Sequence, residues 1–251
     1  MFKIALDAGH GMNTAGKRCL KSIDANETRE WWMNDRICDK IEKKLSAYDG
    51  YAILRVDDTT GKTDVSLGTR VRSANSFKAD FYLSVHHNAG INGGSGGGIV
   101  SIVYTNASQT SNEYSKIVYD EMIKTTGLKG NRSTPLAKQN LYVCRETNMP
   151  AVLVECGFMD STTDVPIILT EKFADEAAEG IVNALVKIGG LTKKAATTDN
   201  IKDNTPDTYA ADAVKWAIDN GILKGNSDGD YKLHSTITRQ DVLTFLYRMA
   251  K

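Results

Sequence analysis

The sequence predicts an α/β fold, in which a mostly parallel, twisted sheet is flanked by helices and is followed by a small C-terminal helical domain. Short apolar runs alternate with amphipathic helical patterns over residues 1–190, as in parallel sheets. The periodicity stops at a small, polar stretch, and helical patterns resume behind it. A length of 251 residues suits one full domain and one small one.

The first elements alternate strictly along the chain. Apolar runs predict strands at 2–6, 51–56 and 81–85, and amphipathic patterns predict helices at 30–45 and 67–77. In the first helix one face carries Asn34, Ile37, Cys38, Ile41 and Leu45, while charged residues dominate the other. We therefore expect this helix to pack one face against the sheet.

The second half of this domain opens with a glycine-rich run at 93–98. We interpret the run as a flexible connection, because no Lys-Ser or Lys-Thr pair follows it as in a phosphate-binding loop. Nucleotide binding is therefore not expected. The predicted elements behind it are a strand at 99–104, a helix near 111–125, a buried strand at 151–154 and a closing helix at 171–188.

The chain is expected to divide into a catalytic domain at 1–190, a linker at 191–200 and a C-terminal module at 201–251. The linker lacks periodicity and consists of small and polar residues. The module has helical patterns at 209–220 and 238–249 around a loop rich in Gly, Asp and Asn, and it occurs once.

Composition excludes several classes of function. Lys+Arg and Asp+Glu both number 31, so no excess positive charge favours nucleic acid. No apolar run approaches the roughly 20 residues that cross a bilayer, so no membrane association is expected. The four cysteines form no Cys-x-x-Cys pair, which favours free thiols in a reducing compartment. The N-terminus lacks the pattern of a signal peptide.

Histidines follow the predicted strands at the edge where ligands bind in α/β sheets. His10 follows the first strand between glycines, and His86 and His87 follow the strand at 81–85. Imidazoles and a carboxylate are typical zinc ligands. The carboxylate is Glu30 or Glu27, which lie one helical turn apart near a helix start, and the spacing does not choose between them.

Glu155 ends a buried apolar strand, and a charged group in that position needs a partner. A metal-bound water is one such partner, and an ion pair with an arginine such as Arg70 is the alternative. Structural explanations also exist for the other residues: Glu30 favours the dipole of its helix, and a histidine after a strand is commonly a loop residue. The combination of residues is what favours a catalytic metal site.

Several motifs occur in a characteristic order: Leu-Asp-Ala-Gly-His-Gly, Glu-Trp-Trp-Met-Asn, Arg-x-x-x-Ala-Asn, Ser-Val-His-His-Asn-Ala and Val-Glu-Cys-Gly-Phe-Met. Over residues 2–188 the chain thereby resembles the zinc N-acetylmuramoyl-L-alanine amidases of type 3. The resemblance implies His10, Glu30 and His86 as zinc ligands and Glu155 as the catalytic carboxylate. It favours Glu30 because the family's glutamate precedes an asparagine by one helical turn. His87 replaces the family's usual alanine, and we expect it at the rim, where it meets substrate.

The resemblance further implies zinc-dependent hydrolysis of the amide between N-acetylmuramic acid and L-alanine in peptidoglycan, without an organic cofactor. Together with the missing signal peptide it favours an endolysin, made in the bacterial cytoplasm and acting at the cell wall after release. A host autolysin and an inactive wall-binding protein are the alternatives.

Residues 201–250 resemble one S-layer homology repeat, through the run from Tyr-Ala-Ala-Asp to Leu-Lys-Gly and the segment Ile-Thr-Arg-Gln-Asp. The resemblance implies secondary cell-wall polysaccharide as the partner and Asp203, Trp216 and Arg239 as binding residues. Such repeats usually occur in threes, so a single copy predicts either weak binding or a homo-oligomer that gains avidity. Packing of Trp216 in the module's own core is the structural alternative.

Overall fold

The protein is described by a computed structural model that covers residues 1–194, 203–227, 229–235, 237 and 239–249. For Arg239 the description is limited to the backbone. The chain forms two compact units, Met1–Lys194 and Ala195–Lys251. We describe each unit by itself.

The first unit contains all the strands of the described residues, and helices alternate with them. The strands are β1 (Phe2–Ala8), β2 (Tyr48–Asp49), β3 (Tyr51–Arg55), β4 (Phe81–Asn88), β5 (Val100–Tyr104), β6 (Leu136–Gln139), β7 (Ala151–Phe158) and β8 (Thr192–Lys193). The helices are α1 (Glu30–Leu45), α2 (Leu67–Phe77), α3 (Gln109–Thr126), α4 (Tyr142–Glu146), α5 (Val165–Ile168) and α6 (Glu171–Gly189).

The central sheet has the strand order β3-β1-β4-β7-β5-β6. Strands β3, β1, β4 and β7 are mutually parallel, whereas β5 runs antiparallel to β7 and parallel to β6. The predicted mostly parallel α/β sheet is confirmed. The reversed pair at one edge was not part of the prediction.

Residues alternate between the two faces of the sheet, and each face has its own helices. Leu6, Leu83 and Val154 face the core beneath α1, α3 and α6. Tyr82 and Leu153 face the opposite core beneath α2 and α4. This alternation decides which side chains at the end of a strand can meet.

Two strands extend beyond their predicted ends, with consequences for the site. The sequence predicts strand ends at 85 and 154, whereas β4 continues to Asn88 and β7 to Phe158. His86 and Glu155 therefore lie within strands and are paired in register across β4 and β7. Paired backbones hold both side chains more firmly than loops would.

The glycine-rich connection between β4 and β5 is fastened by carboxylates from the segment after β7. Asp160 Oδ2 accepts hydrogen bonds from the backbone N–H groups of Gly90, Ile91 and Asn92 at 2.7, 2.8 and 2.7 Å. Asp164 Oδ2 accepts one from Gly98 at 2.7 Å. The expected flexible connection is therefore held in place at both of its ends.

The first unit ends later than the expected boundary at residue 190. Strand β8 pairs with β2, and Leu191 is buried beside them. Residues 195–200 of the expected linker lie outside the described residues. All four cysteines are free thiols, and all four are buried.

The second unit contains a 3₁₀ turn at Thr208–Ala210, helix α7 (Ala211–Asp219) and helix α8 (Arg239–Met249). The prediction of a small C-terminal helical part is confirmed. Among its described residues, Ile222 is the buried hydrophobic side chain. No helix in the described part of the protein combines the length and apolar character that a bilayer span requires.

Candidate metal centre

His10 reaches the carboxyl edge of the sheet through a tight turn after β1. Its backbone has φ 69°, in the left-handed region, and its carbonyl oxygen accepts a hydrogen bond from Arg70 Nη2 at 2.8 Å. The preceding residue must be glycine, because a Cβ on Gly9 would lie 2.1 Å from Cε1 of His86. The close approach of these backbones brings the two imidazoles together.

Glu30 is the first residue of α1, and its backbone N–H donates to the carbonyl oxygen of Lys17 at 3.0 Å. Its carboxylate is only 1% exposed. Glu30 Oε1 lies 3.0 Å from His86 Nδ1 and 3.4 Å from His10 Nε2. The helix start therefore delivers a carboxylate between the two imidazoles.

The three predicted ligands converge. One ligand atom each from His10, Glu30 and His86 lies within 4.8 Å of the others, and in the described part of the chain this is the one such cluster of His, Cys, Asp or Glu. The imidazole rings meet edge to face, with centroids 4.9 Å apart at 87°. Two imidazoles and a carboxylate are a common protein ligand set for catalytic zinc, with a further position left for water.

The polar atoms of the cluster are incompletely satisfied by the protein itself. His10 Nε2 and Glu30 Oε2 are buried and have no hydrogen-bond partner. Buried polar atoms without partners are uncommon and call for a bound group. The donor set and these atoms together fit a zinc ion.

The groups of the cluster favour the ionised forms of Glu30 and His86. Burial by itself raises the pKa of Glu30, but the neighbouring imidazoles of His10 and His86 outweigh it and hold that pKa well below its usual range. Burial lowers the pKa of His86, but the hydrogen bond and charge of Glu30 outweigh this effect and raise it. Glu30 is therefore an anion throughout the physiological range.

Glu155 stands beside this cluster on the same face of the sheet as His86. Its Oε2 is buried and has no hydrogen-bond partner. Burial raises the pKa of Glu155 to about 7, against the lowering effect of His86 and with a further increase from the Glu30 charge. A carboxylate with a pKa near 7 is suited to accept and return a proton.

The sequence leaves two alternatives open: an ion pair between Glu155 and Arg70, and Glu27 in place of Glu30 in the cluster. The observed ion pairs decide between them. Arg70 pairs with Asp7 and not with Glu155, and both Arg70 and Asp7 are buried. Glu27 pairs with Arg18 at 3.0 Å and is not part of the metal cluster. The geometry therefore places Glu30 in the cluster and leaves Glu155 without an arginine.

His87 does not lie at the rim, and this expectation was wrong. Alternation along β4 turns His87 to the α1 face, where it is 2% exposed and its Nδ1 lies 2.8 Å from Asn34 Oδ1. Burial lowers the pKa of His87 to about 3. Its backbone N–H donates to Glu30 Oε1 at 3.2 Å, so His87 helps to hold the Glu30 carboxylate in place.

A cavity of about 480 Å³ opens beside the cluster. His10, His86 and Glu155 line it, and several further lining residues were not identified from the sequence: Lys17, Val65, Leu67, Gln139, Leu141 and Tyr142. These residues come from loops, from the first residue of α2 and from the short elements β6 and α4, and none of them lies in a recognisable motif. The cavity is large enough for part of a small-molecule or peptide ligand.

The candidate wall-binding residues lie in the second unit. Asp203 Oδ1 lies 2.6 Å from His234 Nδ1, and Asp203 Oδ2 accepts from the His234 backbone N–H at 2.6 Å. Trp216 is 54% exposed on α7, which argues against packing in the module's own core. Arg239 begins α8, and its side chain lies outside the described residues.

Comparisons with known proteins give consistent results. A family model described as N-acetylmuramoyl-L-alanine amidase matches residues 4–187, and an S-layer homology domain model matches residues 202–243. The amidase CwlM of Bacillus licheniformis is 33% identical over 78% of this chain and 72% of its own length. The endolysin of Bacillus phage SPP1 is 30% identical over 89% of this chain and 77% of its own.

Solved structures agree with these relatives. An N-acetylmuramoyl-L-alanine amidase from Clostridium difficile 630 aligns with a TM-score of 0.66 at 30% identity, covering 74% of this chain and 95% of that one. The catalytic domain of CwlV from Bacillus polymyxa shares the fold, with a TM-score of 0.65 at 24% identity, covering 74% of this chain and 97% of that one.

Proposed function

The chain belongs to the N-acetylmuramoyl-L-alanine amidase family, and from this premise we propose that it is a zinc-dependent hydrolase of the amide between N-acetylmuramic acid and L-alanine in peptidoglycan. The observation that carries the proposal is the convergence of His10, Glu30 and His86 beside the buried Glu155. Family membership alone would fit an inactive relative as well. The complete set of residues argues for an active enzyme.

His10, Glu30 and His86 would hold the zinc ion. When bound in such a site, zinc polarises a carbonyl and lowers the pKa of a coordinated water to about 7. The ligands are held by the surrounding protein: Arg70 fixes the carbonyl of His10, and the His87 backbone N–H fixes Glu30. Such outer contacts keep a metal site in its productive geometry.

Glu155 is the proton carrier in this proposal. It accepts a proton from the attacking water and returns a proton to the nitrogen of L-alanine as the amide bond breaks. Its pKa of about 7 supports both roles, because a group near neutrality gains and loses a proton readily. The products are the free lactyl carboxylate of the sugar and a peptide with a new L-alanine amine.

The C-terminal unit is proposed to bind secondary cell-wall polysaccharide, in agreement with its match to the S-layer homology domain. Trp216 is available for this contact because half of its surface is exposed. Asp203 is engaged with His234 and would act partly by holding that turn. Arg239 is proposed as the cationic partner of an acidic sugar substituent.

Association between copies of the chain would compensate for the single repeat. Helix α8 exposes large apolar side chains, and the described residues of this unit have little buried core: Val242, Leu243, Leu246 and Met249 are the exposed residues. A homo-oligomer would cover them and present several repeats to one wall, which raises avidity.

We propose that the enzyme acts at the bacterial cell wall as an endolysin. The phage SPP1 endolysin supports this role, because its similarity extends over nearly the whole chain. A host autolysin of the same activity is the second candidate, supported by the similarity to CwlM. Both roles use the same reaction.

Product analysis tests the reaction. Purified Gram-positive walls digested with the protein should gain L-alanine amino termini, and a chelator should abolish the gain until zinc is returned. Another new amino terminus would indicate a peptidase instead. Wall binding with neither product would indicate a binding protein that has lost activity.

A further inference from the structure

Lys17 lines the proposed catalytic cavity and belongs to none of the motifs that identify the family. It is in the loop between β1 and α1, and its side chain lines the same cavity as His10, His86 and Glu155. The backbone of Lys17 is held in place, since its carbonyl oxygen accepts from Glu30 N–H at 3.0 Å and its N–H donates to Thr14 O at 3.4 Å. The root of the side chain is therefore fixed at the site.

The N–H donors of the Lys17 ammonium group are not used in hydrogen bonds to the described residues. Its Nζ lies 3.7 Å from Glu30 Oε2, which is ion-pair distance but beyond a normal hydrogen bond. Among the described residues this group has no other hydrogen-bond or ion-pair partner, and the side chain is 42% exposed. The ammonium is thus positioned by charge, while its N–H groups remain open to a ligand.

The other lysine or arginine in the lining of the cavity is Arg70, and its donors are used. Arg70 Nη1 bonds Asp7 and the Ala8 carbonyl oxygen, Nη2 bonds the His10 carbonyl oxygen, and Nε bonds the Val65 carbonyl oxygen. Arg70 is buried and serves the scaffold. Among the described lining residues, Lys17 is accordingly the lysine or arginine that can donate to a substrate.

The position of the scissile carbonyl follows from the rest of the site. For the proposed reaction its carbon has to come within reach of a water that Glu155 deprotonates, and this requirement brings the carbonyl group into the cavity that Lys17 and Glu155 both line. During attack the electron pair of the C=O bond moves to this oxygen, which becomes negative. Fixed donors at such an oxygen stabilise the transition state more than the ground state.

We propose that Lys17 is a further catalytic residue, whose ammonium donates a hydrogen bond to the scissile carbonyl oxygen as its negative charge develops. The inference rests on the proposed amidase function. Lys17 keeps its proton throughout the reaction. The electron pair returns to re-form the C=O bond when the amine leaves with the proton from Glu155.

The test compares Lys17→Met, Lys17→Arg and the wild-type full chain on soluble muropeptides that carry the stem peptide. Lys21→Met is the matched control, because Lys21 is an exposed lysine of the same loop and does not line the cavity. We expect Lys17→Met to lower kcat about 10²-fold with KM nearly unchanged. Lys17→Arg should recover part of the loss, and Lys21→Met should match the wild type.

Zinc content and Tm are measured on every variant. They distinguish a catalytic role of Lys17 from a structural role in which Lys17 only holds Glu30 in place. The inference requires that Lys17→Met keep the wild-type zinc content and Tm. A kcat equal to the wild type, a change confined to KM, or a loss of activity that parallels a loss of zinc would each overturn it. An inactive wild-type enzyme would instead contradict the proposed function, so the two failures are distinguishable.

Discussion

At the residue scale, the division of labour between two glutamates explains why both are needed. Glu30 is held as an anion by two imidazoles, whereas Glu155 has a pKa of about 7 because it is buried beside another carboxylate. The first is suited to bind a cation, and the second is suited to move a proton. The same residue type thus serves different purposes in different surroundings.

Glu155→Gln tests this division. The variant keeps the shape of the side chain but cannot accept a proton, so we expect hydrolysis to fall by about 10² to 10⁴-fold while zinc content stays at the wild-type level. His10→Ala should lose both zinc and hydrolysis, because it removes a ligand. Assays of wall hydrolysis with metal analysis distinguish the two variants. Substantial activity in Glu155→Gln would remove Glu155 from the mechanism.

The buried pair of Asp7 and Arg70 holds the carbonyl of His10 in place and gives a pH-dependent prediction. Burial raises the pKa of Asp7, but the charge of Arg70 and the hydrogen bond from Ser84 outweigh it, and the net pKa is lowered. Asp7 therefore contributes stability above its unfolded pKa of about 3.9, and the contribution is lost as pH falls through the lower folded value.

Asp7→Asn should lower the free energy of unfolding by about 3 to 5 kcal/mol at pH 7, since it removes the buried counter-charge of Arg70 and leaves only the half-exposed Asp64. The difference from the wild type should begin to shrink below about pH 4, where Asp7 becomes protonated in the unfolded chain, and should be lost as pH falls through the lower pKa of the folded protein. Urea unfolding at both pH values measures this. Asp120→Asn, at an exposed ion pair, is the control and should change stability by less than about 1 kcal/mol. An effect of Asp7→Asn that does not depend on pH would contradict the assignment.

Some residues of the site were predictable and others were not. The family resemblance favoured Glu30 over Glu27, and the structure brings Glu30 together with His10 and His86. His87 was misplaced because its predicted strand ended too early, and side chains within a strand alternate between faces. Lys17 carries no signal in the sequence, since only the folded loop brings it to the cavity.

At the element scale, the site depends on how closely the turn after β1 approaches β4. Gly9 allows this approach, because any Cβ there would meet the ring of His86. The helices α2, α3 and α6 are capped by Ser66, Ser108 and Thr170, whose side chains accept hydrogen bonds from backbone N–H groups of the first turn. Ordinary N-caps therefore stabilise the starts of these helices, whereas the geometry of the site depends on the close contact at Gly9.

Gly9→Ala tests that contact. The added methyl group would displace His86, so we expect a folded protein that has lost most of its zinc affinity and its activity. Gly68→Ala is the control, because its nearest neighbour is the flexible end of Arg72 at 3.3 Å. Zinc titration with circular dichroism compares the two variants. Wild-type zinc affinity in Gly9→Ala would show that the two backbones need not approach so closely.

The helices and parallel strands were predictable because their apolar periodicity is long. The predicted bounds of α1 and α2 agree with the structure. Strand β6 and helix α4 were missed, since they have 4 and 5 residues and a short element shows no period. The reversal of β5 also has no local signature, because strand direction is decided by the connections of the chain.

At the scale of the whole molecule, we propose that the first unit hydrolyses peptidoglycan and that the second unit binds the cell wall. A chain shortened to residues 1–194 keeps every residue of the metal centre and the complete compact unit. It should therefore hydrolyse soluble muropeptides at the rate of the full chain. On intact walls it should bind and lyse less well, because the polysaccharide contact is missing.

Co-sedimentation with walls and light scattering measure these outcomes. We expect the full chain, but not the shortened one, to gain mass with concentration and to sediment with walls. Trp216→Ala is the matched control, because it changes one proposed contact residue and keeps the whole second unit. It should weaken wall binding without changing the hydrolysis of soluble substrate. Equal wall binding by all three proteins would contradict a targeting role for the second unit.

The central claim is that His10, Glu30 and His86 hold a zinc ion, and zinc X-ray absorption spectroscopy of the purified full chain tests it most directly. The account predicts one zinc per chain in a shell of nitrogen and oxygen ligands with two imidazoles, and loss of that spectrum in His10→Ala. A shell containing sulfur, or a protein that binds no zinc and still hydrolyses walls, would contradict the account.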